Sequence, residues 1–354
     1  MQIHNSPESS RDGLEYSARE ARRITQQSTG ILIPVYLPPG GNHDLQLELL
    51  ADNVEACVDV VDDPHAVCLI ADGPDCGGAQ VKELASTYSV TATVAQRNRG
   101  KLSALRHGAD KLRDPSLEWI AVIDADGDHF ANELVNLTRA ALAARRRFGA
   151  EDLLVIGRRA SRHRPMGLLR GELEELADRV LLDALSYAAA RSGEPLPLQG
   201  VTSIEEFPDF HSGFKLFSRQ AAEHVFLAEP DLCDVDEDAY FRHGCEAVMT
   251  VEAMQAGAQL VSVQRTTFNE QPVSTFGQLQ RDRLVADKMI WPCRKLQVPP
   301  DFVQQWLRNH VPRLQLATLA PQGKQELLTI CNLVAEAFSL PPFTADLTVG
   351  PLFV

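Results

Sequence analysis

Trp119-Ile120-Ala121-Val122-Ile123-Asp124-Ala125-Asp126-Gly127-Asp128 is the stretch that decides the fold. Five apolar residues run without a break and stop at three aspartates within five positions. A short continuous apolar run is the pattern of a strand buried on both faces. The acidic, Gly-containing turn marks where such a strand leaves its sheet.

Working outward, the same grammar repeats. Ile31-Leu32-Ile33-Pro34-Val35-Tyr36 reads as a buried strand ended by Pro38-Pro39-Gly40-Gly41. Asp44 to Val61 carries helical spacing (Leu45, Leu49, Leu50, Val54, Val58), with Asp44 placed to cap it. Ala66 to Ile70 is a second strand, Gly78 to Tyr88 a helix, Val90 to Ala95 a third strand, and Lys101 to Arg113 a helix. Beyond the opening stretch come a helix over Ala131 to Phe148 and a strand over Leu153 to Ile156. Repeated strand–helix alternation gives an α/β fold with a mostly parallel central sheet and helices on both faces. Ligands of such sheets bind at the carboxyl ends of the strands. Loops 71–78, 96–101 and 124–130 are therefore expected to converge.

After residue 157 the alternation weakens. Arg158 to Arg170 reads as a basic loop, Glu172 to Ala190 as a helix, and Gly213 to Ser218 as a strand. Asp238 to Ala256 reads as a helix and Leu260 to Val263 as a last strand. The expected domains are a loosely attached polar arm over 1–27, the α/β domain over 28–265, and a mainly helical C-terminal extension over 266–354.

Composition narrows the classes of function. Among 354 residues, 34 Lys and Arg face 48 Asp and Glu, a net charge of −14. That balance argues against a nucleic-acid binder, which needs a basic face for phosphates. The seven cysteines form no C-x-x-C pair, so reduced thiols and a cytoplasmic location are expected. The N-terminus has no apolar signal core, and no apolar run is long enough to span a bilayer. Peripheral membrane contact stays open.

Four segments carry chemistry. Asp124 and Asp126 at a strand end suit Mg²⁺ or Mn²⁺, hard cations that take carboxylate oxygens and keep positions for substrate phosphates. The plain alternative is a turn. An EF-hand loop is excluded, because His129 and Val135 stand where it needs Gly and Glu. Arg97-Asn98-Arg99-Gly100-Lys101 opens a helix with cations beside its N-terminus, which suits an anion. Asp72-Gly73 follows a strand and reads equally as a nucleoside hydrogen-bond acceptor or as a turn. Arg158, Arg159 and Arg170 belong to a cluster suited to phosphate, set against the reading of a solvated loop.

Taken in order, these segments resemble the family 2 glycosyltransferases of the GT-A (nucleotide-diphospho-sugar transferase) fold. The likeness rests on Ile33-Pro34-Val35-Tyr36, Asp72-Gly73, Asn98-Arg99-Gly100-Lys101 with Ala104-Leu105…Gly108, and Asp124-Ala125-Asp126. Ile156-Gly157-Arg158-Arg159 and Asp209-Phe210-His211-Ser212-Gly213-Phe214-Lys215 are similar to segments of the polyprenyl-phosphate sugar transferase (dolichol-phosphate mannosyltransferase-like) branch. The resemblance covers about 30–265. It implies metal-dependent transfer of a hexosyl group from a UDP- or GDP-linked sugar to a hydroxyl or phosphate acceptor. Pro34, Tyr36, Asp72, Lys101 and Asp124 would then hold the donor, and Asp124 and Asp126 the Mg²⁺ or Mn²⁺. Arg158, Arg159, Arg170 and Lys215 would hold the acceptor or its phosphate.

The chain departs from that pattern at Ala71 and Pro74, so the base is not chosen, and it lacks the membrane helices of the branch. An inverting transfer needs a base. Within the acidic run Asp236-Glu237-Asp238, Glu237 and Asp238 are the candidates, with a helix-capping role as the alternative. Asp209 is a second candidate, in a segment that suggests an acceptor-side structural role. His211 and His243 read first as structural residues, with a metal ligand as the alternative, since a His can complete a sugar transferase's metal site. Gln280-Arg281-Asp282-Arg283-Leu284 is similar to a processive-synthase motif but has Leu284 in place of Trp. The C-terminal extension is expected to cover the acceptor side or to form a homodimer contact. Rival readings are a haloacid dehalogenase-like phosphatase using Asp-x-Asp, a nucleotidyltransferase, and a non-catalytic nucleotide-sugar-binding module.

Overall fold

The computed structural model describes residues 8–201, 207–268, 280–320, 322–344 and 347. Residues 1–7 of the expected arm, and 269–279, 321, 345–346 and 348–354 of the expected extension, lie outside the described residues.

In chain order the elements are α1 (Glu8–Ser28), β1 (Thr29–Val35), α2 (Asp44–Asp59), β2 (Val67–Ala71), α3 (Gly78–Tyr88), β3 (Thr91–Val94) and α4 (Lys101–Lys111). Then come β4 (Trp119–Val122), α5 (Leu134–Phe148), β5 (Leu153–Arg158), α6 (His163–Ser192), β6 (Lys215–Ser218) and α7 (Arg219–Phe226). The chain continues with α8 (Cys245–Gln255), β7 (Gln259–Gln264), α9 (Arg281–Lys295), α10 (Pro300–His310), α11 (Leu316–Leu319) and α12 (Gly323–Ala337).

One seven-stranded sheet runs in the order β3-β2-β1-β4-β6-β5-β7. All pairs are parallel except those of β6, which is antiparallel to both β4 and β5. This is an α/β fold with a mostly parallel mixed sheet, as the alternation predicts. Side chains alternate across the strands, so each face has its own core. Ile31, Ile33 and Val35 pack with Ala21 and Ile24 of α1, Val54 of α2, Val81 of α3 and Leu137 of α5. Leu32, Ile70, Val122 and Ile156 pack on the other face with Leu105 of α4, Leu176 of α6, Val248 of α8 and Met289 of α9.

Four expectations change. From Glu8 onward the arm is a helix whose last turns belong to the core. Ala21, Ile24 and Thr25 are buried, and the Thr25 hydroxyl lies 3.0 Å from that of Thr138 on α5. The polar composition of 1–27 hid a stripe only one face wide. The basic loop is half helix, because α6 begins at His163 and bends at Gly167, where φ is +75°. The helix expected over Asp238 to Ala256 opens with a wide π turn, Ala239–His243, before α8. Asp44, expected as a cap, is the first residue of α2, and its amide donates to Asn42 Oδ1 at 2.9 Å.

The helices after residue 280 have no core of their own. Val285, Met289, Leu307 and Ile330 share one apolar cluster with Leu154 and Phe217 of the sheet. All seven cysteines are free thiols. Among the described residues no helix is long and apolar enough to cross a membrane.

Candidate active site

The carboxyl ends of β2 and β4 meet at the head of α4. Asp72, just past β2, is buried and accepts the backbone amides of Arg99 (3.0 Å) and Gly100 (2.8 Å). Gly100 has φ +109°, and a Cβ there would lie 2.7 Å from the Arg242 Cα and the Phe241 carbonyl, so only glycine fits. This turn aims Lys101 across the sheet edge. Its Nζ stands 2.5 Å from Asp124 Oδ1 and 2.9 Å from Glu246 Oε1 in the first turn of α8.

Burial alone would neutralise Lys101, but Asp124 and Glu246 outweigh it and hold the amine well above the ordinary lysine range. Burial likewise opposes the charge on Asp124, and Lys101 overrides it, so the carboxyl sits below its usual range. The Asp124 backbone is fixed from both sides. Its carbonyl accepts Asn53 Nδ2 at 2.7 Å, and its amide donates to His129 Nδ1 at 3.0 Å. Burial drives His129 well below the ordinary histidine range, so it is a neutral ring with its proton on Nε2.

Beside this triad a polar cavity of about 100 Å³ opens, with Asp124, Asp128, Arg170, His211, Glu246 and Arg265 among its walls. Arg265 follows β7 and is tied to Asp128, Nη2 to Oδ2 at 2.7 Å. Part of the wall is a buried ion network. Arg159 donates from Nε to Asp209 Oδ2 at 2.9 Å and from Nη2 to Oδ1 at 2.5 Å. Lys288 Nζ reaches Glu174 at 2.5 Å. Gly213 sits against the triad, where a Cβ would collide with Asp124 Oδ2 and lie 3.0 Å from Lys101 Nζ.

The structure thus brings together Lys101, Asp124, Arg159 and Arg170 from the expected set, with Asp72 shaping the loop that carries Lys101. Others lie elsewhere. Asp126 Oδ1 accepts the Asp128 amide at 3.1 Å, as a turn residue does. Pro34 is half-buried in β1, opposite Ile70, and Tyr36 is exposed past its end. Arg158 reaches Gln264 at 3.4 Å and is not part of the cavity wall.

Lys215 is wholly buried and not at a phosphate site. Its Nζ donates to the carbonyls of Phe210 (2.8 Å) and Ser212, and burial lowers it to about 8. Glu237 and Asp238, expected as bases, are surface residues paired with Arg97 and Arg99, and with Arg242, outside the cavity wall. Asp236, which precedes them in the run, accepts the Ala239 amide at 2.7 Å, so the capping role falls to this residue.

Sequence reasoning missed Glu246, Arg265, Glu174 and Lys288, and placed His211 among structural residues. Glu246, Arg265, Glu174 and Lys288 reach the site from in or beside elements distant in sequence, with no local motif, whereas His211 lies inside the 209–215 segment.

The chemistry of the Asp124–Asp128 segment suits a hard cation. It carries three carboxylates in five positions, and the buried Asp128 Oδ1 has no hydrogen-bond partner. Among the described residues, the side chains whose potential ligand atoms converge within 4.8 Å are His163, Glu172 and Glu175, a group without these aspartates.

The fold and site define an α/β protein with a charged cavity at the carboxyl edge of its sheet. Comparison with family models finds no match, and comparison with curated proteins finds none. Among solved structures, the chain is similar to 4-diphosphocytidyl-2C-methyl-D-erythritol synthase from Anaerococcus prevotii DSM 20548. The identity is 12% and the TM-score 0.36, over 77% of this chain and 99% of that one.

Proposed function

We propose that the protein is a glycosyltransferase, moving a sugar from a nucleotide-diphosphate sugar to a hydroxyl- or phosphate-bearing acceptor at this cavity. The carrying observation is Lys101, kept protonated between Asp124 and Glu246 at the carboxyl edge of β4. A leaving nucleoside diphosphate gathers negative charge, and a fixed cation in a water-poor site stabilises it more than it stabilises the ground state. Asp124 and Asp126 would hold Mg²⁺ or Mn²⁺, which when bound supplies further positive charge to the diphosphate. Asp72 orders the backbone of the donor loop. Arg170 and Arg265 give an acceptor's anionic end a cationic wall.

Calorimetric titration of UDP and GDP, each with and without Mn²⁺, tests this on wild type, Lys101→Met and Asp126→Ala. One nucleotide is expected to bind, about tenfold or more tightly with Mn²⁺. Asp126→Ala should erase the Mn²⁺ gain, and Lys101→Met should weaken binding with or without it. Absence of binding by either nucleotide under every condition overturns the reading.

A further inference from the structure

We infer that His211 is a catalytic residue of this cavity, the proton acceptor for the acceptor hydroxyl, and that Asp178 is its positioning residue. The inference rests on the transferase reading above and adds the base which that reading lacks.

The geometry is built, not incidental. His211 lies just ahead of β6, the reversed strand, so the amino end of β6 delivers it to the same edge as the carboxyl ends of the parallel strands. Its side chain is wholly buried. Nδ1 stands 2.7 Å from Asp178 Oδ1 on α6, which also accepts the His211 amide at 3.3 Å. Asp178 is held in turn by Arg162 Nε at 2.9 Å. A carboxylate only accepts, so Nδ1 carries a ring proton, and in the neutral tautomer Nε2 holds the lone pair. That Nε2 is buried without a hydrogen-bond partner, in a residue that lines the cavity. Buried polar atoms are normally satisfied, and an exception inside a cavity points to a ligand group.

The other candidates are carboxylates tied to cations, or the ring of His129, although Glu174 Oε2 and Asp128 Oδ1 have no hydrogen-bond partner. Asp124 and Glu246 bind Lys101. Glu174 binds Lys288, and Asp209 binds Arg159. His129 accepts an amide at Nδ1 and so presents a donor. Asp128 shares its carboxylate with Arg265.

In the step, the acceptor O–H bond breaks and its proton passes to His211 Nε2. The freed oxygen pair forms the bond to the anomeric carbon. The bond from that carbon to the diphosphate oxygen breaks, and its electron pair leaves with the nucleoside diphosphate. Asp178 faces the imidazolium so formed, the arrangement that orients and stabilises a histidine base. The proton returns to water as product leaves.

The test uses the full chain, with UDP-glucose and GDP-mannose as donor probes, water as acceptor, and release of nucleoside diphosphate as the rate. Nitrogen-15 spectra of the histidine rings, assigned with His211→Asn, read the tautomer. The expected wild-type result is a proton on Nδ1, shifted toward Nε2 in Asp178→Asn. His211→Asn keeps a donor for Asp178 and should lower kcat by about 100-fold or more, with the donor KM within about threefold. His211→Gln is the second variant if Asn folds poorly.

A wild-type proton on Nε2, or a His211→Asn kcat within about fivefold of wild type, overturns the role. So does a matching loss of nucleotide affinity, which marks a structural histidine, or a loss confined to Mn²⁺ affinity, which marks a metal ligand. A wild type that neither binds nucleotide nor releases nucleoside diphosphate overturns the transferase reading itself, a result separate from the other four.

Discussion

The two halves of the candidate site are built differently. On the side of β1 to β4, the carboxylates other than Asp124 answer backbone. Asp72 holds two amides of the α4 turn, and Asp126 holds the amide of its own turn. On the side of β5 to β7, carboxylates answer cations that lie 16 or more residues away in sequence. Asp209 holds Arg159, Asp178 holds Arg162, Glu174 holds Lys288, and Asp128 holds Arg265. A local turn needs only its own few residues to form. A buried ion pair needs the whole fold, and it fails badly if one partner goes. The first half should therefore tolerate loss of a carboxylate better than the second.

The largest effect expected is at Asp209. Asp209→Ala leaves Arg159 charged and buried without its hydrogen-bonded carboxylate, with only Glu174 at 3.6 Å beside it, and should remove about 3–5 kcal/mol of stability in denaturant unfolding. A cost below about 1 kcal/mol would break the contrast between the halves.

Acid sharpens the same contrast. Burial pushes the Asp209 and Glu174 carboxyls up, but Arg159 with Arg162, and Lys288 with Arg159, outweigh it and hold both below the usual carboxylate range. Folded values lower than unfolded ones mean that the stabilisation is fully present above the ordinary carboxylate range. It is lost as pH falls through that range toward the folded values. Melting temperature should fall steeply below about pH 4, and less steeply in Asp209→Asn.

A smaller cost is expected on the other side. Asp72→Ala frees two amides at the head of α4 and should cost about 1–2 kcal/mol, while nucleotide affinity falls with the loosened loop. Measuring both on one variant compares loop order with global stability. Glu237→Ala should be the mildest. Its pairs with Arg97 and Arg99 are solvent-exposed, so stability should move by less than about 1 kcal/mol, with little change in rate. A hundredfold rate loss there would restore Glu237 as the base and remove His211 from that role.

The same division explains what the sequence made legible. β1 to β5 with α2 to α5 follow a period and a punctuation that can be read locally, and Lys101 and Asp124 fall at predictable strand and helix ends. β6 reads as a strand, but nothing in its four residues tells that it runs backward. That reversal brings His211 to the edge, so its partner Asp178, 33 residues earlier on α6, was invisible. The arm misled for a different reason. Its mean composition is polar, and only the spacing of Ala21, Ile24 and Thr25 marks the buried stripe. The acidic triplet 236–238 looked catalytic by density of charge, yet density without burial gives a solvated surface.

Gly213 gives the two halves a common gauge. It belongs to the β6 side and touches Asp124 and Lys101 of the other side closely enough that one added carbon has no room. A side chain there would act as a wedge at a seam. A graded series through Gly, Ala and Ser would part the two halves by successive increments of volume while leaving every charge in place, and so measure how much of the site's behaviour depends on closeness alone.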